Sequence, residues 1–558
     1  MLNRFFNSQT NSVGAAAGIL ALSALISRVL GVVRDWLLAK TFGAGPELDV
    51  YFAAFRVPDL VYNILIAGGI VVAFLPLFSE YFSKGNKEDA WRFTNNTLNI
   101  FLFLLIFLCL ILFIFASPLI KLITPGFNPE QLQKTIFLTR LMFLSPIFLG
   151  LSSIFSGILQ YFNRFLIYGL CPILYNLGII FGILFLAPPL GVLGIAIGVI
   201  LGAFFHFAIQ IPSATASGFR YKPIFDFGDL GIKRVFLLMI PRTFGVASQQ
   251  VNLLFITAIA STLGAGALSI FNFANNIQYL PIGIIGVSFA VAAFPRLSKT
   301  WAENEKGKFL SNFSSVFRQT LFLIIPISIL TYLLRNQIVG IILRHGEFSF
   351  KAAELTAASI GLFCFGIFAQ SLIPLIFRAF FSFQDTKTPT LISIAGMTLN
   401  VILSFYFTWL LGPAGPRPQF EGGAYGVNFS NIIVNIFSLQ GIENVQILGL
   451  PLAFTIAGIF QFILLMVFLY RKIGDYRLRE IFNSFLKILI ASLSMAVLVY
   501  LTLYLVSLSL DTQTFWGIFW QTTIAGLVGV LVYLIATFLL KSPEIEIIKS
   551  SMSRKFRK

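Results

Sequence analysis

The chain has 558 residues, 57% hydrophobic and only 11% charged, with a mean hydropathy of +0.89. Soluble globular domains carry about 25% charged residues, so this chain cannot cover itself with a water-compatible surface, and disordered, collagenous and disulfide-scaffold classes fail on the same composition. The net charge of +17 suggests nucleic acid in a soluble protein, but in a membrane protein it asks which side of the bilayer the cations occupy.

Apolar stretches of about 20 residues can cross a bilayer as helices. In chain order they fall near 13–38, 50–80, 95–122, 135–160, 164–187, 189–212, 234–263, 267–298, 312–343, 353–382, 388–412, 446–470, 484–508 and 515–540. The expected fold class is therefore all-α, a polytopic membrane protein of about fourteen spans. Several spans contain proline, among them Pro58, Pro76, Pro172, Pro326 and Pro374; bundled helices tolerate it because neighbours satisfy the freed carbonyls. Cys109, Cys171 and Cys364 sit in apolar runs and read as small hydrophobes. His206 and His345 have no zinc spacing, and no cleavable signal precedes the first span.

With the N-terminus inside, 27 of the 39 basic residues fall in inner segments and 7 in outer ones. That asymmetry predicts both termini in the cytoplasm and an even number of spans. The basic tail KSSMSRKFRK reads as a topology anchor, with anionic lipid binding as its alternative. The other 5 cations, Arg28, Arg34, Arg56, Arg140 and Arg242, lie inside spans or at their rims.

An internal repeat is visible. AKTFGAG (39–45) matches ASTLGAG (260–266), and PLFS (76–79) matches PRLS (295–298), each followed by a charged stretch and a new span. Six spans separate the copies, which gives parallel repeats of the kind transporters use. The expected organisation is an N-lobe at 1–212 (spans 1–6), a linker at 213–232 and a C-lobe at 233–472 (spans 7–12), with spans 13–14 and the tail at 473–558. An outer loop at 413–445 exceeds a usual connection. Its Pro/Gly start reads as irregular, and 428–439 as a short amphipathic element.

Charge inside the spans is the functional signal. An ionised side chain at mid-bilayer costs about 2.5–3.5 kcal/mol even on the lenient insertion scale. Span 1 carries Arg28, Arg34 and Asp35, and the start of span 2 carries Asp49, Arg56 and Asp59. Asp35 is expected to pair with an arginine on a neighbouring span, and Arg56 with Asp59 at i,i+3. Snorkelling or static ion pairs would account for part of this. That reading suits Asp49 and Asp59 near the outer rim, while Arg28, deep in span 1, suits an arginine-lined, water-filled cavity for an anionic substrate, because the guanidinium fork matches phosphate bidentately; Arg34 and Arg56 fit either reading. The second repeat is amide-rich instead: Gln249 and Ile256 stand where Arg28 and Asp35 would fall, with Asn252, Asn275, Asn276 and the lone Arg242 nearby in sequence.

SRVLGVVRD (27–35), FGAGPELDVYFAAFRVPDL (42–60), AFLPLFSEY (73–81), FNFANNIQYLP (271–281) and FSFQDTKTPT (381–390) resemble the lipid II flippase family, MurJ/MviN, over roughly residues 13–470. The resemblance implies a fourteen-span flippase of the multidrug/oligosaccharidyl-lipid/polysaccharide exporter superfamily. Such proteins carry undecaprenyl-pyrophosphate-linked disaccharide-pentapeptide from the inner to the outer leaflet of the bacterial inner membrane. It puts essential arginines at Arg28 and Arg34, their acidic partner at Asp35 and a span-2 cation at Arg56, with spans 13–14 forming a groove for the lipid tail. Two departures stand out. Tyr62–Asn63 and Ala67–Gly68 replace an Arg-Arg pair and a Glu-Gly, and Asn275–Asn276 replace an Asp-Arg. No cofactor is expected; coupling would come from the membrane potential or a monovalent cation, with Asp385, Thr386 and Asn400 as a weak cation site. Expected partners are the lipid-linked substrate, membrane lipids and cell-wall synthesis proteins, with no nucleic acid, for a monomer. The alternative is a related exporter of another polyprenyl-linked glycan or of a drug. An enzyme is not expected, since no inner loop offers an acidic cluster or a histidine.

Overall fold

The structure, a computed structural model, describes residues 9, 12–83, 85, 87–412, 429–511 and 514–545. All regular elements among the described residues are helical, as hydrocarbon demands of a backbone that must satisfy its own polar groups. The first half contains α1 (Val13–Phe42), α2 (Pro46–Val61), a π segment (Tyr62–Ile70), α3 (Val71–Ser83), α4 (Lys87–Ile114), α5 (Ala116–Ile123), α6 (Pro129–Met142) and α7 (Leu144–Tyr161). After these come α8 (Phe165–Phe181), α9 (Val192–Ala208), α10 (Gln210–Ala216) and α11 (Leu230–Ser261). The second half contains α12 (Ala267–Pro281), a π segment (Ile282–Val287), α13 (Ser288–Ala302), α14 (Lys306–Leu333), α15 (Arg335–Ile342), α16 (Phe350–Cys364) and α17 (Ile367–Ser382). It ends with α18 (Lys387–Leu411), α19 (Phe429–Phe437), α20 (Gly449–Ile473), α21 (Leu478–Ser507) and α22 (Phe515–Leu539).

Among the described residues eleven helices are long and apolar enough to cross a membrane, or twelve if α16 and α17, bent by 48°, count as one span. The expected spans outside that number are the rod 46–83 and α11, which carry many of the polar residues singled out above. Helix α19 falls on the expected amphipathic element and buries Ile433 and Phe437. Residues 413–428 and the basic tail from 546 onward lie outside the described residues.

The repeat reaches well beyond the two motifs that revealed it. Helices α4 and α14 are both 28 residues long and start at Lys87 and Lys306; α5 and α15 are both 8 residues long and start at Ala116 and Arg335. Two of the three π segments among the described residues also correspond, beginning at Tyr62 and Ile282. Such segments interrupt the α-helical ladder, often at functional sites.

Neighbouring side chains compensate the prolines. Pro58 has no N–H for the carbonyl of Ala54; Thr139 Oγ1 of α6 lies 3.3 Å from that oxygen and 2.8 Å from Thr135 O, which share its one proton. Pro326 likewise frees the carbonyl of Phe322, which accepts the Tyr533 hydroxyl of α22 at 2.7 Å. The close approach of α8 and α9 depends on glycine. A Cβ on Gly178 would lie 2.3 Å from Gly202 Cα, and one on Gly182 would lie 2.7 Å from Gly198 Cα, as in small-xxx-small helix crossings. All three cysteines are free and buried.

The chain forms two compact units, 1–269 with 346–348 and 270–345 with 349–558. The boundary falls after α11, and the expected linker 213–232 lies inside the first unit. The physical reason is a row of buried asparagines on α4. Asn95 Nδ2 donates to Arg220 O at 3.0 Å, Asn99 Nδ2 to Lys222 O at 2.9 Å, and Asn96 Nδ2 to Asp226 O at 2.9 Å. Asn95 and Asn96 also accept from the backbone N–H of Lys222 and Asp226.

Candidate functional site

Helix α1 presents the charged residues of the first span. Arg34 Nε and Nη2 donate to Asp35 Oδ1 at 3.0 and 2.8 Å, and Nη1 reaches Asn176 Oδ1 of α8 at 3.4 Å. Asn176 in turn donates to Ser27 Oγ at 3.1 Å, back on α1. The side chain of Arg34 stays 25% exposed, against 12% for Asp35. Asp35 thus takes one partner from its own helix, the adjacent residue. Arg28 is half-buried one and a half turns earlier.

Helix α11 runs antiparallel along the rod 46–83, and α11 with the turn and first residues of α12 that follow it meets the rod at three levels. At one end Arg234 Nη2 bonds Glu80 Oε2 at 2.9 Å. In the membrane zone Arg56 Nε donates to Thr257 Oγ1 at 2.9 Å, and Asn63 Nδ2 donates to the Asp59 carbonyl at 2.9 Å. At the other end Asp49, only 2% exposed, accepts from Gly266 N at 2.6 Å, Ser269 N at 2.8 Å and Ser269 Oγ at 2.6 Å. Gly266 has φ +85°, and a Cβ there would lie 2.5 Å from Ala44 O. The two GAG turns found as a sequence repeat therefore touch, fastened by the carboxylate that begins α2.

The remaining predicted residues are placed as follows. Gln249 is exposed and Asn252 buried on α11; the side chain of Arg242 lies outside the described part. Asn275 and Asn276 are on α12, in the second unit, where Asn275 Oδ1 accepts from Gln278 at 3.0 Å. The expected cation site does not assemble. Asp385 accepts from Thr388 N at 3.0 Å, Thr388 Oγ1 at 2.9 Å and Lys472 Nζ at 2.5 Å. Burial alone would raise its carboxyl, but the bonds from Lys472 and Thr388 prevail and hold it below the ordinary carboxylate range. Asn400 lies thirteen residues past the start of α18 at Lys387, ~20 Å along the axis at 1.5 Å per residue, so Asp385, Thr386 and Asn400 cannot share an ion. No group of three or more His, Cys, Asp or Glu side chains suited to a metal occurs among the described residues.

Sequence reasoning missed Asn176, Asn95, Asn96 and Asn99, all of them amides that bond across helices or to a connecting segment. The signal was present as the run TNNTLN in an otherwise apolar span. His206 was missed as well: it is half-buried and its Nδ1 meets Ser152 Oγ at 2.6 Å.

This arrangement of broken helices, with polar side chains inside apolar rods, defines a class of protein: a polytopic, all-helical membrane protein. The same fold occurs in a solved structure titled an inward-facing MATE family transporter of the MOP superfamily, with TM-score 0.61 at 15% identity, covering 82% of this chain and 98% of that one. The chain belongs to the family described as Lipid II flippase MurJ, whose sequence profile matches residues 38–415. A relative named as a probable lipid II flippase MurJ, from Buchnera aphidicola subsp. Schizaphis graminum, is 30% identical over 396 residues, covering 70% of this chain and 77% of its own length. A solved structure titled Lipid II flippase MurJ, inward closed conformation, aligns with TM-score 0.73 at 25% identity, covering 94% of this chain and 99% of that one.

Proposed function

We propose that this chain carries lipid II from the inner to the outer leaflet of a bacterial inner membrane by alternating access, with both termini in the cytoplasm. Family membership supports the substrate. The observation that carries the chemistry is Arg34, a permanent cation inside an apolar helix whose guanidinium is oriented by Asp35 and Asn176 yet stays a quarter exposed. A diphosphate cannot enter hydrocarbon unaided, because stripping its water costs far more than a side chain can return without opposite charge. Arg28, Arg34 and Arg56 supply that charge. Asp35 neutralises the Arg34 fork between loads, and an incoming diphosphate competes for the same N–H groups. The membrane potential or a monovalent cation returns the carrier to its starting state.

Rescue of a bacterium depleted of its own flippase tests this reading. Wild-type protein restores growth, and the Arg28→Ala, Arg34→Ala double variant, expressed at equal level in the membrane, does not. Full rescue by the double variant contradicts the arginine mechanism.

A further inference from the structure

The first unit contains a cavity of about 640 Å³ lined by Leu98, Leu102, Leu151, Phe155, Phe207 and Phe219, with Arg220 and Tyr221 also on its wall. It lies among α4, α7 and the α9–α10 region, away from the charged face of α1. Its volume is within the ~300–1,000 Å³ of small-ligand sites, and its lining is hydrocarbon apart from the residues at its rim. Helices α4 and α9, which help line it, also expose Phe103, Phe107, Phe204 and Phe205, the composition of a surface turned to lipid tails.

The rim has the composition of a headgroup zone. The segment RYKPIFDF (220–227) exposes Tyr221, Phe225 and Phe227 and carries Arg220 and Lys222, both exposed. Aromatic rings and cations together are what a chain at a membrane interface shows, and basic side chains there favour anionic lipid. This segment is not a loose linker. Asn95, Asn96 and Asn99, each 2% exposed or less, bond its backbone at Arg220, Lys222, Ile224 and Asp226 over 2.7–3.1 Å. The asparagine row lays the segment across the end of α4, so that Arg220 and Tyr221 reach the cavity.

We infer that this cavity holds an acyl chain of an anionic glycerophospholipid, with its phosphate at Arg220 and Lys222. The donor leaflet is the one adjoining the 213–229 connection, the cytoplasmic one in the orientation proposed above. The site is independent of the flipped cargo: it takes a resident lipid that fastens the connecting segment ahead of α11.

Photo-crosslinking in nanodiscs tests the inference, using phosphatidylglycerol with a diazirine in one acyl chain and the matching phosphatidylcholine as the neutral probe. Mass spectrometry of the digest is expected to place phosphatidylglycerol adducts at Leu98–Leu102, Leu151–Phe155 or Phe207–Phe219. Leu151→Trp, which puts an indole into the cavity, is expected to lower these adducts. The exposed Arg220→Gln, which leaves the packing intact, lowers the phosphatidylglycerol preference about fivefold, the equivalent of ~1 kcal/mol for one basic residue at an anionic surface. Equal labelling by both probes in wild-type protein, or adducts at these positions unchanged in both variants, overturns the inference. Labelling by a polyprenyl-diphosphate probe but not by phosphatidylglycerol also overturns it, by making the cavity a cargo site.

Discussion

Arg34 and Asp49 are both charges held inside an apolar bundle, and their surroundings give them different roles. Asp49 spends its carboxylate on two backbone N–H groups and one hydroxyl and so acts as a fastener between the two GAG turns. Hydrogen bonds to a charged group contribute about 1.5–3 kcal/mol each, so Asp49→Ala is expected to destabilise the first unit by at least about 3 kcal/mol. Thermal unfolding of the purified protein measures this, and a cysteine placed at Ala44 should label faster with a water-soluble maleimide in the variant. Arg34 instead keeps part of its surface open, and its replacement should impair transport far more than folding. From sequence, both residues stood out because a buried charge needs a reason. Which charge was a fastener was not legible, because its partners are backbone groups of a turn 217 residues away. Asp385 was misassigned for a related reason: Asp-Thr-Lys-Thr-Pro allows both an ion site and a helix start, and only Lys472, from another helix, decides between them. The pairing that lowers its carboxyl adds stability above the unfolded-state value of about 3.9 and loses it as pH falls through the folded value. The stability difference between wild type and Asp385→Asn at pH 7 should therefore close below about pH 4 in a thermal-shift series.

At the scale of elements, twelve of the fourteen expected spans, counting the bent α16–α17 pair as one, were legible because the bilayer imposes one length and one polarity on each. Breaks within the spans were legible only through proline. The structure adds how each break is satisfied, with Thr139 at Ala54 and Tyr533 at Phe322. Removing the Tyr533 hydroxyl leaves the buried Phe322 carbonyl without this donor, so Tyr533→Phe should cost about 1–2 kcal/mol, read from thermal unfolding; Thr139→Val, whose hydroxyl is shared with Thr135 O, should cost less. The α8–α9 crossing makes a stronger prediction. Any side chain at Gly178 meets Gly202 backbone at 2.3 Å, so Gly178→Leu should prevent accumulation of folded protein in the membrane, measured as the monodisperse fraction after detergent extraction. The π segments had no distinctive sequence signature, because residues 62–70, Asn63 apart, read as part of one apolar helical run.

For the whole molecule, the proposed orientation would account for most of the net charge, and the family resemblance rested on few motifs that the structure places on α1, α2, α3, α12 and the α17–α18 turn. The anchoring of the last two helices was not legible. Glu544, 1% exposed, accepts from Arg318 Nη1 at 3.1 Å and from Ser484 and Ser542 at 2.6 Å each, tying α14, α21 and the chain after α22 together. It sits just before a basic tail, where an acid draws no notice. Glu544→Ala leaves Arg318, 15% exposed, without this partner and should destabilise the second unit by about 3 kcal/mol. The central claim, that arginines in the first unit carry a lipid-linked diphosphate across the membrane, is tested most directly by labelling lipid II in the outer leaflet of a flippase-depleted strain. Wild-type protein should restore outer-leaflet lipid II, and the Arg28→Ala, Arg34→Ala variant should leave it at the depleted level. Restoration by that variant, or no restoration by the correctly inserted wild-type protein, would contradict the account.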